Sequence, residues 1–110
     1  MSHTPISEED RQAGIVYGSL VADSLALGAH WIYDQEEIRG TFGRVTDLLA
    51  PLPDSYHPKK TRGEQAHYGD QAVVLMESLR EKGDFDREHF TQAWKELWVD
   101  YPDYFDHATK

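Results

Sequence analysis

The chain has 110 residues, which is enough for one domain with its own core but not for two. Eleven basic residues against twenty acidic ones give a net charge of −9, which excludes a nucleic-acid-binding surface and disfavours an anionic membrane surface. There is no cysteine, so disulfides, thiolate zinc sites and cysteine nucleophiles are excluded. A mean hydropathy of −0.68 excludes a membrane-spanning protein. The N-terminal sequence lacks a signal-peptide pattern, which predicts a cytoplasmic protein.

A first helix is predicted to begin at Ser7 and to end at Gly28. Ser7 with Asp10 forms a variant of the capping box, and the acidic first turn suits the positive end of the helix dipole. Residues 13–27 are apolar on nearly every side, which is typical of a helix in the middle of a bundle. Small residues recur every fourth position and should let a second helix approach closely; these are Gly14, Gly18, Ala22 and Ala26.

A second capping signal at Asp34 predicts a short helix that ends near Gly40. Residues 41–69 contain three prolines and little periodicity, so they are predicted to form a long loop. This loop is expected to hold at most a short helix at residues 45–49. A loop of this length in a compact domain is usually functional or disordered.

Two further helices are predicted in the second half of the chain. One runs from about Asp70 to Lys82, with an apolar block that should be buried and Gly83 as its stop. The other begins after Asp86 as N-cap and ends before Pro102, with one apolar face formed by Phe90, Ala93, Trp94, Leu97, Trp98 and Tyr101. No segment alternates with period two. The fold class is therefore all-α, a single helical bundle over residues 1–110.

The predicted helices carry more apolar surface than four short elements can cover among themselves. Part of the core is therefore expected to face something outside these residues, and the bundle is expected to be incomplete. Self-association is one way to cover this apolar surface, and packing against a C-terminal half beyond this chain is the other.

Asp23 lies in the middle of the apolar first helix, where a lone carboxylate is costly unless it is paired or hydrogen-bonded. It is either the cap of a neighbouring helix end or a site residue at the mouth of a cleft. His30 and Trp31 follow the predicted helix end, so they are expected near the same place. The tryptophan is either a packing residue or a platform for a ligand.

A second candidate segment is polar, contains glycines and leads directly into the third helix, covering residues 63–71. Helix starts attract anions and polar ligands. Asp70 is available there as an N-cap or as an oxygen ligand for a hard cation such as Mg²⁺. His67 is a base, a ligand or a surface residue. No role is assigned to His3, His57, His89 and His107, and no serine-hydrolase or phosphate-loop motif is present.

Two motifs occur in a suggestive order. The first is Gly14 and Gly18 followed by Ala22-Asp23-Ser-Leu-Ala-Leu-Gly28, and the second is Tyr68-Gly-Asp-Gln71 before an apolar helix. The first resembles the first helix of the ADP-ribosylglycohydrolase family, which includes the crystallin J1-like proteins. The second is similar to that family's Thr-Asp-Asp-Thr signature. The resemblance covers nearly all of this chain but only the N-terminal part of the family's domain, in a divergent branch.

The resemblance implies an all-α fold and, in active members, a magnesium-dependent hydrolase that releases ADP-ribose from a modified acceptor. It places Asp23 on the aspartate of the first motif, and Asp23 and His30 would be catalytic. Asp70 falls on the second aspartate of the signature and would be the Mg²⁺ ligand. Gly69 falls on the first aspartate and has no side chain to offer a metal. Residues 68–71, which align with the Thr-Asp-Asp-Thr signature, are called the signature turn below. The substrate-binding residues on or next to this turn would be His67, Tyr68 and Gly69.

Two alternatives to hydrolysis remain open from the sequence. One is a catalytically inactive pseudo-enzyme that binds ADP-ribose or a nucleotide sugar, which the replacements at residues 68, 69 and 71 favour. The other is a fragment with no function of its own. The partner implied in the first two cases is an ADP-ribosylated substrate or an ADP-ribose-like small molecule.

Overall fold

The computed structural model describes residues 3–110, and within this range the regular structure consists of four α-helices and no strand. The helices are α1 (Glu8–Leu27), α2 (Gln35–Phe42), α3 (His67–Lys82) and α4 (Arg87–Val99). The all-α prediction is confirmed. Helix α3 packs against both α1 and α4. In the described part of the chain, no helix combines the length and the apolar character needed to cross a membrane.

Three helix starts are fixed by the side chains that the sequence indicated. The Ser7 hydroxyl accepts the Asp10 N–H at 3.0 Å, Asp34 accepts the Glu36 N–H at 2.9 Å, and Asp86 accepts the His89 N–H at 2.9 Å. Each of these bonds satisfies a donor that the helix itself leaves free. The short helix α2 runs two residues past the predicted end, since Gly43 with φ +63° closes it.

Helix α3 begins at His67, three residues earlier than predicted. Its N-cap, Ala66, has no side-chain acceptor, and the carboxylate of Asp23 in α1 accepts the Ala66 N–H at 2.7 Å instead. Asp70 therefore lies inside the first turn, and its prediction as an N-cap is wrong. The stop at Gly83 is confirmed, because its φ of +76° is a left-handed conformation that glycine adopts without strain.

Residues 43–66 connect α2 to α3 as a loop without a regular helix, so even the short helix that the prediction allowed at residues 45–49 is absent. This segment crosses the C-terminal end of α1 at very short range. A Cβ atom on Gly28 would lie 2.8 Å from the Leu49 Cβ, so the absence of a side chain permits the crossing. The connection thereby brings His57 and Lys60 against the start of α3.

Helices α3 and α4 are joined by polar contacts as well as by apolar packing. The Ser78 hydroxyl lies 2.7 Å from His89 Nδ1, and the Trp94 indole N–H donates to the Gln71 side chain at 2.8 Å. His89 thus has a structural position that the sequence did not reveal. Leu79 was predicted to be buried with the apolar block of α3, but it is 37% exposed.

The N-terminal two-thirds of α1 lies on the surface, which contradicts its predicted place in the middle of the bundle. Ile15 is 73% exposed and Tyr17 is 69% exposed. No atom of the described residues lies within 4 Å of a Cβ built on Gly14 or Gly18, so the predicted close approach of a second helix is absent there. The hydrogen bonds that join α1 to the start of α3 come from the C-terminal part of α1, at Leu20, Asp23 and Ser24. The radius of gyration, 16.9 Å, accordingly exceeds the roughly 13 Å of a compact domain of this length.

Candidate functional site

The first turn of α3 is built against the carboxylate of Asp23. Oxygen Oδ2 of this side chain accepts the Ala66 N–H, and a Cβ on Gly69 would lie only 2.4 Å from the same oxygen. Gln65 ties the same junction to α1, because its amide donates to Leu20 O at 3.1 Å and to Ser24 Oγ at 2.7 Å. Asp23 therefore caps a neighbouring helix, and Gly69 leaves the space that this cap requires.

Asp70 is held by two donors from other parts of the chain. The Lys60 ammonium lies 2.7 Å from Oδ2, and the Tyr101 hydroxyl donates to the same oxygen at 2.5 Å. The Lys60 side chain is 6% exposed and the Asp70 side chain 23% exposed, so this ion pair is largely removed from water. Burial and the hydrogen bond to Asp70 raise the pKa of Tyr101. Through these bonds, Asp70 in α3 holds together the 43–66 connection, which carries Lys60, and the segment after α4, which carries Tyr101.

Three histidines lie side by side next to this turn. His57 and His67 are fully buried, and His30 Nδ1 lies 2.7 Å from His57 Nε2. Beyond them, Asp103 Oδ1 lies 3.9 Å from His57 Nδ1, and Asp106 Oδ2 lies 3.7 Å from His67 Nε2. The negative charge of Asp103 favours a proton on His57 Nδ1. In that tautomer His57 Nε2 accepts from His30 Nδ1–H, which leaves His30 Nε2 as an acceptor.

Burial decides the charge state of this cluster. It lowers the pKa of His30 to about 4, with the neighbouring histidines acting in the same direction. It also lowers the pKa of His57 and of His67, partly offset by Asp103 and by Asp106 respectively. Burial raises the pKa of Asp23, against the opposing effect of the Ala66 N–H. The three imidazoles are therefore neutral near pH 7, and each neutral ring has one nitrogen that accepts a proton or a hydrogen bond.

Two clefts open on the outer side of the histidines and share aromatic walls. One measures about 170 Å³ and the other about 380 Å³. Trp31, Tyr33 and Tyr56 line both, His30 lines the first, and carboxylates reach the first from Glu37 and Asp54. An aromatic wall offers a flat surface on which another ring can stack, and a carboxylate accepts hydrogen bonds from hydroxyl groups.

Trp31 is the one described non-glycine residue with positive φ, at +63°. This conformation is strained for a bulky side chain. It holds the indole between the His57 ring, at a centroid distance of 5.6 Å, and the Tyr56 and Tyr104 rings, at 5.1 and 5.0 Å. The indole thus packs against the protein, as one of the two interpretations predicted, and it also lines the clefts.

The site residues proposed from the sequence gather around the first turn of α3. Asp23 and Gly69 are adjacent, the His30 ring lies 6.2 Å from His67 and 5.8 Å from Tyr68, and Asp70 belongs to the neighbouring ion pair. His67 is buried, so its interpretation as a surface residue is wrong. Half of the Tyr68 surface is covered, and its hydroxyl donates to Asp106 Oδ2 at 3.2 Å.

Sequence reasoning missed most of the residues that complete this site. They lie in the 43–66 connection and after α4, at positions without a recognisable motif: Tyr56, His57, Lys60, Tyr101, Asp103, Tyr104 and Asp106. The one available signal was the length of the connection, which is typical of a functional loop. Nothing in the local pattern distinguished Lys60 from the adjacent Lys59.

The fold and the site together define an all-helical protein with a polar, aromatic-walled site at the start of an inner helix. A family model described as ADP-ribosylglycohydrolase matches residues 4–109, and the chain belongs to this family. Crystallin J1A of Tripedalia cystophora is 27% identical over 88 residues, which cover 78% of this chain and 27% of that relative. The chain thus spans about a quarter of that relative's length. No solved structure matches the chain.

The residues at the signature turn do not fit a magnesium site. Oδ2 of Asp70 already faces an ammonium group, Oδ2 of Asp23 faces a backbone N–H, and Gly69 supplies no ligand. Within residues 3–110, no three histidine or carboxylate side chains converge in a way that could hold a metal ion. Mg²⁺ binds proteins through one or two carboxylates and keeps several waters, and with Lys60 on Asp70 this turn presents no carboxylate that is not already paired.

Proposed function

We propose that this chain binds the ADP-ribosyl group, with an aromatic ring of the ligand in the cleft beside Trp31. The observation that carries the proposal is the pair of aromatic-walled clefts next to the signature turn. An adenine ring can stack on Trp31 or Tyr56, and ribose hydroxyls can donate to Glu37 and Asp54. Membership of the ADP-ribosylglycohydrolase family supports the choice of ligand.

Loss of the exposed cleft tyrosine should weaken ADP-ribose binding. In Tyr56→Ala we expect about tenfold weaker affinity by titration calorimetry, because stacking on an aromatic side chain contributes on the order of 1–3 kcal/mol per base. Tyr17→Ala is the matched control, since Tyr17 is a similarly exposed tyrosine on α1 outside the clefts. Ribose 5-phosphate, which lacks the base, should bind both variants alike. Equal ADP-ribose affinities for the two variants would show that ADP-ribose does not stack on Tyr56 in this cleft.

Hydrolysis of the ADP-ribosyl linkage is the second candidate function. It is supported by His30, which lines the smaller cleft with its Nε2 free to accept a proton from an attacking water. Asp23 is engaged with the Ala66 N–H, so its part in such a reaction would be to position α3. The family implies Mg²⁺ as a cofactor, but no step at these residues is assigned to it.

Release of ADP-ribose from an ADP-ribosylated protein measures the second candidate directly. If His30 is the base, His30→Gln should lower the release rate by about 100-fold or more while ADP-ribose affinity stays within about threefold. His3→Gln serves as the control, because His3 is exposed and lines neither cleft. If the wild-type protein binds ADP-ribose but releases none from the ADP-ribosylated protein, the binding function stands and hydrolysis by these residues is excluded.

Two further expectations stay predictions that size and localisation measurements can check. Self-association would cover the exposed apolar face of α1, and equilibrium sedimentation would detect it. A cytoplasmic location is the other expectation, and cell fractionation would test it.

A further inference from the structure

The contact between Lys60 and Asp70 differs from an ordinary surface ion pair. The Lys60 side chain is 6% exposed, its Nζ is 2.7 Å from Asp70 Oδ2, and it lies 5.0 Å above the centre of the Tyr101 ring. Water therefore supplies little of the stabilisation that this charge needs. The carboxylate and the aromatic ring supply it instead.

A divalent cation bound to the same oxygen would meet this ammonium at short range. Mg²⁺ binds carboxylate oxygens at about 2.1 Å, so it would lie within about 5 Å of Lys60 Nζ. Two cations at that distance repel each other strongly in a site with little water. The ammonium and a metal ion are thus competing partners of Asp70.

We propose that the Lys60 ammonium replaces a divalent metal ion as the counter-cation of Asp70, so that this signature carboxylate is satisfied from within the chain. The proposal goes beyond the proposed function, because it holds whether or not ADP-ribose is bound or cleaved. It accounts for Gly69 as well: with the charge of Asp70 already balanced by one cation, a second signature carboxylate at residue 69 would lie unpaired against Asp23.

The test compares thermal unfolding of the metal-free protein in EDTA and in millimolar Mg²⁺, with ionic strength matched by NaCl. The wild-type Tm should be the same in both. In Lys60→Met, which keeps the apolar stem, the Tm in EDTA should fall by about 5 °C or more, because the partly buried Asp70 carboxylate loses its counter-charge and keeps only the Tyr101 hydroxyl on that oxygen. Mg²⁺ should then recover part of that loss, since the cation position is vacant.

Two matched variants separate this effect from a general loss of charge. Lys59→Met changes the adjacent, exposed lysine and should leave both the Tm and its independence of Mg²⁺ unchanged. The double variant Lys60→Met with Asp70→Asn should melt above Lys60→Met in EDTA and should no longer respond to Mg²⁺. A Lys60→Met protein that ignores Mg²⁺ would reduce the contact to a structural ion pair and overturn the proposal.

A second measurement on the wild type covers the case in which Lys60→Met does not fold. Mn²⁺ broadens the NMR signals of amides close to a bound divalent cation. The amide signals of Gly69, Asp70 and Gln71 should keep their intensity when Mn²⁺ is added. Selective loss of these signals, or a rise in the wild-type Tm with Mg²⁺ that Asp70→Asn abolishes, would show that a metal ion binds Asp70 and that the proposal is wrong.

Discussion

Gly69→Ala is expected to lower the free energy of unfolding by about 3 kcal/mol. The added Cβ would lie 2.1 Å from Gln65 Oε1 and 2.4 Å from Asp23 Oδ2, which are distances that real contacts do not reach. Gln65 can move away only by giving up the bonds of its amide to Leu20 O and Ser24 Oγ, and Asp23 is fixed by its bond to the Ala66 N–H. The substitution therefore combines overpacking with the loss of the α3 cap. Urea unfolding followed by circular dichroism would measure the change.

Gly18→Ala is the matched control for this prediction. Gly18 also lies inside a helix, but outside its own helix backbone no atom of the described residues lies within 4 Å of the Cβ position, so the helix-forming preference of alanine acts alone. We expect a gain of roughly 0.5–1 kcal/mol. If Gly69→Ala also stabilised the protein, the contact between Asp23 and the first turn of α3 would not exist in solution.

Acidification is expected to destabilise the protein through the buried histidines. The folded pKa of His30, about 4, lies below its ordinary value of 6.5, and the pKa values of His57 and His67 are shifted in the same direction. The unfolded chain therefore binds more protons below pH 6.5, so stability is fully present above that pH and falls as the pH falls toward 4. From about pH 7.5 to about pH 5.5 we expect the Tm to drop by about 5–10 °C.

His67→Phe isolates one contribution to this pH dependence. Neither ring nitrogen of His67 makes a hydrogen bond with the described residues, so a phenyl ring of similar shape should fit at neutral pH. The Tm at pH 7.5 should change little, and the drop on acidification should shrink by roughly a third. His107→Gln changes an exposed histidine and should leave the drop intact. A Tm that rises on acidification would contradict the placement of the three rings.

The predicted fold was most accurate where the determining contacts are local in sequence. Ser7, Asp34 and Asp86 cap the helices that follow them, because a side-chain oxygen two or three residues before an N–H reaches it without help from the rest of the chain. The start of α3 was misplaced for the opposite reason. Its cap is Asp23, which is 43 residues away in sequence and enters through the packing of α1.

The same distinction between local and distant contacts applies to the candidate site. The sequence drew attention to Asp23, His30 and the turn at residues 67–70, because a carboxylate in an apolar helix and a glycine-containing helix start are unusual in any context. It assigned no partner to Asp70 and no role to His57. Their contacts come from the 43–66 connection and the segment after α4, whose paths no local pattern specified.

The sequence by itself determined the all-α class, three of the four helix starts, the stop at Gly83 and the resemblance to the ADP-ribosylglycohydrolase family. These depend on periodicity, on capping over a few residues and on motif order. Only the tertiary structure decided that α1 exposes most of its apolar face, that Asp23 caps α3, and that Lys60 neutralises Asp70. The physical reason is that burial and ion pairing depend on which distant segments meet in space.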